Sequence, residues 1–324
     1  IHERLVGSEM CIRDSSFGWK NDHFTGAAMG YNLKYNPDYR YKTKQIFTPS
    51  TGIRKFYPDS GILVSRPTTT LTDSGLAVTI KLLGGYPTAV GHNHDDVGSY
   101  SISLNGMLVA GEIGGTYSYN GSAFGETRFN FSIMNSRGHP VPLINDKIQG
   151  HVWELPINKR PSVLNKILSD TSDSITYDYR SVYPFNPELL SLTRQLTYTR
   201  GAASSIVVED SASFDERLST FETALTTAST TDWNGKPVVT CAWNLLSGPT
   251  TAKGQTTAIG SFTCVRAADS TRNILYATIV SPAPFTIKTE DLFEFKIRFT
   301  RIAVRLTNRV KAARITVTYT QSKP

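Results

Sequence analysis

Two hydrophobic periods divide the chain. Between Asp22 and Tyr35 the apolar residues Phe24, Ala27, Ala28, Tyr31 and Tyr35 recur at steps of three and four, the spacing of one helical face. Asn21 or Asp22 supplies a cap, Asn36-Pro37-Asp38 ends the helix, and a second short helix is predicted from Pro37 to Ile46. A Pro/Gly/Ser/Thr linker, Thr48 to Gly52, follows. Beyond Phe56 the period changes to two. Ser99 to Leu104 alternates strictly, with Tyr100, Ile102 and Leu104 on one face and three serines on the other. Asn105-Gly106 then makes a two-residue hairpin turn, and Met107 to Ala110 returns. Further short runs, mostly β-branched and bounded by Gly, Asn, Asp or Pro, predict strands at Ile62–Val64, Leu76–Ile80, Leu192–Tyr198, Ser204–Glu209, Ser219–Thr226, Val238–Ala242, Ile274–Ile279, Phe293–Phe299, Ile302–Leu306 and Ile315–Tyr319. So many short strands with so little helix predict a mainly β fold, an antiparallel β-sandwich of stacked sheets.

Composition narrows the classes. The 324 residues suffice for one large domain or two ordinary ones. No apolar run approaches the roughly 20 residues of a spanning helix, so no membrane span is expected. Thirty-four Lys and Arg against 27 Asp and Glu leave a net charge of +7. That balance suits an anionic partner, and anionic polysaccharide or membrane surface fits it as well as nucleic acid does. Three cysteines exclude a disulfide-framework fold and a Cys-based zinc finger. Cys241 and Cys264 lie in strand-like stretches and either pair in an oxidising compartment or remain two small buried thiols. The first residues have no initiator Met, basic n-region or apolar h-region. The run Leu5 to Ser15 looks like a translated adaptor, so residues 1–16, with Cys11, are set aside as non-native, and the chain is expected to be the C-terminal part of something longer.

The densest polar cluster is Gly91-His92-Asn93-His94-Asp95-Asp96-Val97-Gly98-Ser99. Two imidazoles two residues apart share a face of an extended chain and make half a metal site, with Asp96 placed to hold a ring N–H from behind. A polar turn feeding the hairpin accounts for the same residues. Glu112 follows the return strand, which brings it back near His94, and His139 stands in the turn-rich Asn135-Ser136-Arg137-Gly138-His139-Pro140. Two His and one carboxylate form a zinc set, catalytic or structural. A cupin metal site needs a Glu a few residues after H-x-H, and none is there. The C-terminal base-rich stretch (Lys296, Arg298, Arg301, Arg305, Arg309, Lys311, Arg314) reads as a solvated outer strand or a guarded edge, with a polyanion track as the alternative.

These segments resemble, in order, the β-sheet domain of the heparinase II/III-like polysaccharide lyases. Phe56-Tyr57-Pro58-Asp59-Ser60-Gly61-Ile62 with Arg66 is similar to the first strand, and His92-Asn93-His94-Asp95-Asp96-Val97-Gly98-Ser99 resembles the signature H-N-H-N-D-x-G-S. Glu112 to Tyr117, Arg128, and Asn135 to Pro142 with Gln149 resemble the next block. Leu192-Thr193-Arg194, Val207 to Asp210 and Phe221-Glu222-Thr223 resemble later strands. The resemblance covers about Phe56 to Tyr319, and Asp22 to Tyr39 resembles the last helices of an (α/α) toroid. It implies three regions: 1–16 non-native, 17–50 a helical remnant of the toroid, and 51–324 the β-sandwich, with the rest of the toroid upstream. The implied reaction is β-elimination on a uronic-acid polysaccharide, which needs a group to neutralise the uronate carboxylate, a base for the C5 proton and an acid for the departing O4. By resemblance, His92 is neutraliser or base and Tyr117 a cleft-lining acid or base. Arg128 and Asn135 bind substrate, and His94, Glu112 and His139 hold Zn2+. Glu112 stands where the family usually has Asp. The implied partner is an acidic polysaccharide or oligosaccharide rather than nucleic acid, and the implied location is periplasmic or secreted. The alternatives are a non-catalytic β-sandwich module that binds acidic glycan around a structural metal, and a metal-dependent hydrolase.

Overall fold

The computed structural model describes residues 53–57, 62–68, 75–81, 94–112, 126–151, 161–231, 237–295 and 297–324. The two helices expected between Asp22 and Ile46 lie outside these residues. Among the described residues there is no α-helix, and so none long and apolar enough to cross a membrane.

Three antiparallel sheets carry the structure. The first is a meander of β1 (Arg54–Tyr57), β2 (Ile62–Ser65), β3 (Leu76–Lys81), β4 (Tyr100–Leu104) and β5 (Met107–Gly111). The second has nine strands in the order β12 (Thr230–Thr231), β13 (Pro237–Ala252), β14 (Gln255–Arg266), β15 (Arg272–Ser281), β18 (Ala312–Thr320), β10 (Ser205–Phe214), β9 (Leu189–Thr199), β8 (Ser172–Asp178) and β7 (Ser162–Leu168). The third runs β16 (Phe285–Glu294), β17 (Ile297–Leu306), β11 (Phe221–Ala228) and β6 (Leu143–Ile144).

Period-two burial makes the sandwich. In β10 the residues Ile206, Val208, Asp210, Ala212 and Phe214 point inward, and their neighbours are half-buried. Tyr100, Ile102 and Leu104 of β4 join Leu196, Phe262, Leu275, Ile315 and Tyr319 of the nine-stranded sheet in one core, to which Phe221, Ile302 and Val304 of the third sheet also belong. Polar contacts lock the layers. The Tyr100 and Tyr319 hydroxyls meet at 2.6 Å, Tyr198 donates to the Leu76 carbonyl at 2.5 Å, and Asn273 donates to the Leu104 carbonyl at 2.8 Å. The hairpin at Asn105-Gly106 forms as its residues dictate, with φ of 46° and 77°, the left-handed pair that matches strand twist.

The stretch Phe293–Phe299, expected as one strand, is two. The chain turns at Phe295, whose φ is 48°, and β16 and β17 pair on either side with Phe293↔Arg298 in register. No Gly, Pro or Asn marks this turn, and alternation alone runs straight through it. The basic residues that follow are mostly engaged by carboxylates. Arg301 is buried against Glu222 and Glu290, Arg305 meets Asp146, Lys311 meets Glu216, and Arg314 meets Glu209. These pairs favour a structural role over a polyanion track. Cys241 and Cys264 face each other in the β13–β14 register and are joined by a disulfide.

Candidate metal centre

The site is built where the loop before β4 meets the loop before β6. The segment His94–Ser99 is stitched to 134–149 by a set of short bonds. Asp95 N donates to the Met134 carbonyl at 3.1 Å, and the Ser136 hydroxyl donates to the Asp95 carbonyl at 2.8 Å while accepting from Gln149 N at 3.0 Å. The Gln149 amide pairs with the Val97 backbone on both sides, accepting from N at 3.0 Å and donating to O at 2.9 Å. Beneath both loops lies Arg194. Its guanidinium is held by Asp210 through two 2.6 Å bonds, and it donates to the carbonyls of Gly98 and Pro140, each at 2.6 Å. Burial is the largest single influence and opposes the Arg194 charge, but Asp210 together with Tyr179 and Tyr177 outweighs it, and the pKa is raised.

His139 ends the short 3-10 turn Ser136–Gly138. Asn135 caps that turn: its side chain accepts from Arg137 N at 2.8 Å, and its amide donates to the Phe129 carbonyl at 2.8 Å. His139 is buried. Its Nδ1 faces both oxygens of Glu112, at 2.9 and 3.1 Å. Glu112 reaches it because Gly111 adopts φ 105° directly against β4, where a Cβ would overlap the Tyr100 carbonyl oxygen; Glu112 N then donates to that oxygen at 3.1 Å. The His94 and His139 rings lie 5.2 Å apart at 48°. One ligand atom each from His94, Asp96 and His139 falls within 4.8 Å of the others, two imidazoles and a carboxylate able to hold one ion. The sequence expectation had Glu112 in the ligand set and Asp96 behind a ring. In the geometry Asp96 is in the converging group and Glu112 is on the Nδ1 of His139.

The remaining expected residues fall as follows. His92 and Tyr117 lie outside the described residues. Arg128 is buried, its guanidinium 5.1 Å from the centre of the Phe129 ring and its Nη2 3.9 Å from Met134 Sδ. Asn135 spends its side chain on the cap. One residue was not anticipated: His151, whose Nδ1 lies 2.9 Å from Asp95 Oδ2 and whose ring stacks on Phe129 at 4.1 Å and 21°. Asp95 and His151 are 56 residues apart, and neither spacing nor periodicity joins them. Burial pushes the Asp95 carboxyl up to about 6, against the opposing pull of His151; Asp96 adds to the rise, and His139 subtracts from it.

No protein-family model and no curated protein matches the chain. Solved structures do. A lysine-methylated form of the heparinase III BT4657 gene product aligns with TM-score 0.58 and 13% identity, over 94% of this chain and 43% of that one. Another structure of that gene product aligns with TM-score 0.57 and 14% identity, over 93% and 43%. The chain thus spans less than half the length of the structures it matches, and over that span its fold is similar to that of heparinase III.

Proposed function

We propose that this chain is the β-sandwich domain of a polysaccharide lyase that acts by β-elimination on a uronic-acid-containing polysaccharide. The observation that carries the reading is the convergence of His94, Asp96 and His139, backed by Glu112, in a fold similar to that of heparinase III. The donor set fits zinc: two imidazoles and one carboxylate, with a further carboxylate on Nδ1 of a ligating ring, which fixes the tautomer and leaves Nε2 for the ion. When bound, zinc supplies a fixed positive charge that stiffens this wall of the site. The chain's own residues do the rest. In this reading His92, two residues before His94 in the sequence, serves as neutraliser or base for the uronate, Tyr117 serves as an acid or base, and Arg128 and Asn135 belong to the substrate-binding set. The remaining groups of the site belong to a toroidal domain, in keeping with a chain that spans 43% of the matched structures. The protein works outside the cytoplasm, a reading supported by the Cys241–Cys264 bridge.

Elimination leaves a C4–C5 double bond conjugated to the carboxylate, whereas hydrolysis leaves none. The test is ultraviolet absorbance of the products from heparan sulfate, hyaluronan and alginate, with this domain joined to the toroid. Growth of the conjugated chromophore with one of them is expected, together with a loss of about 10²-fold or more in His92→Ala. Cleavage without the chromophore would assign a hydrolase; saccharide binding without cleavage would assign the non-catalytic module.

A further inference from the structure

One sheet edge differs from the others. Among the edge strands, β1 carries Arg54 and Lys55, β7 carries Lys166, and β16 carries Lys288, Glu290, Asp291 and Glu294, charges of the kind that keep an edge from pairing with another chain. β5 is buried along its length, and β6 is two residues long. The remaining edge is made by β12 and β13. β12 pairs only with Pro237 and Val239, and Ser229 Oγ then accepts from Cys241 N at 3.4 Å. Past that point, among the described residues, no strand pairs with the outer edge of β13. Every residue from Asn244 to Ala252 is exposed, yet Pro237–Ala252 contains no Asp, Glu, Lys, Arg or His.

The details of this edge suit a second protein strand. A β-bulge makes Leu246 an extra residue between the pairs Leu245↔Gly260 and Ser247↔Ile259, and both leucines are 47% exposed. A guarded edge presents lysine at such a place; this one presents two adjacent leucines. The Cys241–Cys264 bridge fastens β13 to β14 where the cover of β12 ends, which holds the edge in shape before anything binds. Charge selects the partner. At a net charge of +7, two copies of the chain repel except through a surface that carries none, and the ribbon from Pro237 to Val265 holds a single ionisable residue, Lys253. We propose that Ala242–Ser247 is an interface with a second copy of this chain. β13 runs antiparallel to β13 of the second copy about a two-fold axis between Leu245 and Leu246, and two nine-stranded sheets become one. That symmetry sets Leu245 against Leu246 of the second copy and Asn244 against Ser247 of the second copy, apolar on apolar and amide on hydroxyl. Pro249, which has no N–H, ends the ladder. So short a ladder is small against the roughly 800 Å² per partner of a standard interface, and a dissociation constant on the order of 10 µM is expected. Neither the metal centre nor the reaction proposed above enters into this pairing.

The experiment is sedimentation velocity of the full chain from about 1 to about 200 µM, with hydrogen exchange followed over the same range. Monomer should give way to dimer as concentration rises. Amides between Ala242 and Ser247 should gain protection in step, while those of β7 and β16 stay unchanged. Leu245→Lys and Leu246→Lys, each at an exposed position, should weaken the dimer about 10-fold or more by setting like charges face to face. Leu164→Lys, at the opposite edge of the same sheet, should leave it unchanged. A monomer at every concentration would overturn the proposal. So would a dimer that neither substitution at 245 or 246 weakens, or one whose newly protected amides lie in another strand. Oligomers that grow without limit would also overturn it, because pairing of β13 with a different edge makes an open array and not a closed pair.

Discussion

At the scale of single residues, the candidate centre turns on a carboxylate on either side of one imidazole. Glu112 holds His139 Nδ1, while Asp96 converges with His94 and His139. The two carboxylates should therefore respond differently. Asp96→Asn or His139→Ala should abolish stoichiometric zinc binding. Glu112→Gln should keep the stoichiometry but weaken affinity by about 10- to 100-fold, as loss of an imidazole's outer partner does; competition with a chromogenic chelator measures both. Gly111 is a second pivot. Gly111→Ala places a methyl on the Tyr100 carbonyl at a left-handed φ, and it should destabilise the protein by about 2 kcal/mol or more in urea unfolding. The histidines at 94 and 139 were legible in the sequence because polar residues between strand signals stand out. Which carboxylate converges with them was not, since that depends on the backbone turn at Gly111. His151 was not legible at all, because its partner is far along the chain and the residues around it carry no period.

At the scale of elements, several of the strands that bury one face announced themselves and others did not. β18 alternates in sequence as it alternates in burial, and β10 does so over most of its length. β7 has no buried face, with Leu164 58% exposed at the end of the nine-stranded sheet, and its sequence shows no alternation to find. β8 is rich in Ser and Asp and β14 in Thr, so their inward residues were masked by polar neighbours. The pairing of β9 with β10 carries a buried ion pair, since Arg194 and Asp210 are register partners. Arg194→Met alone should cost about 3–5 kcal/mol because it strands a buried carboxylate, whereas Arg194→Met with Asp210→Leu should recover much of the loss. Chemical denaturation of both variants tests this. If the double variant is stable, zinc titration on it then asks whether the loops above still come together.

At the scale of the whole molecule, three sheets share one core, and a single covalent link spans neighbouring strands at the side opposite β7. The Cys241–Cys264 bridge closes a segment of 23 residues, for which chain entropy gives about 3 kcal/mol of stabilisation. Reduction, or Cys241→Ser with Cys264→Ser, should lower the unfolding midpoint by a corresponding amount while leaving zinc binding intact, because the bridge lies in β13 and β14 and the centre in the loops before β4 and β6. The anchoring of those loops has a different kind of consequence. Arg194 ties the Gly98 and Pro140 carbonyls to an interior strand of the largest sheet, so the segments carrying those carbonyls should take their positions when the sandwich folds, without waiting for an ion. Chelation should therefore yield a native apoprotein that melts cooperatively and takes up cobalt or zinc without refolding, with only a small heat-capacity change on uptake. In this respect the protein would behave as a rigid receptor for the proposed zinc, the reverse of domains that are unstructured until a metal assembles them.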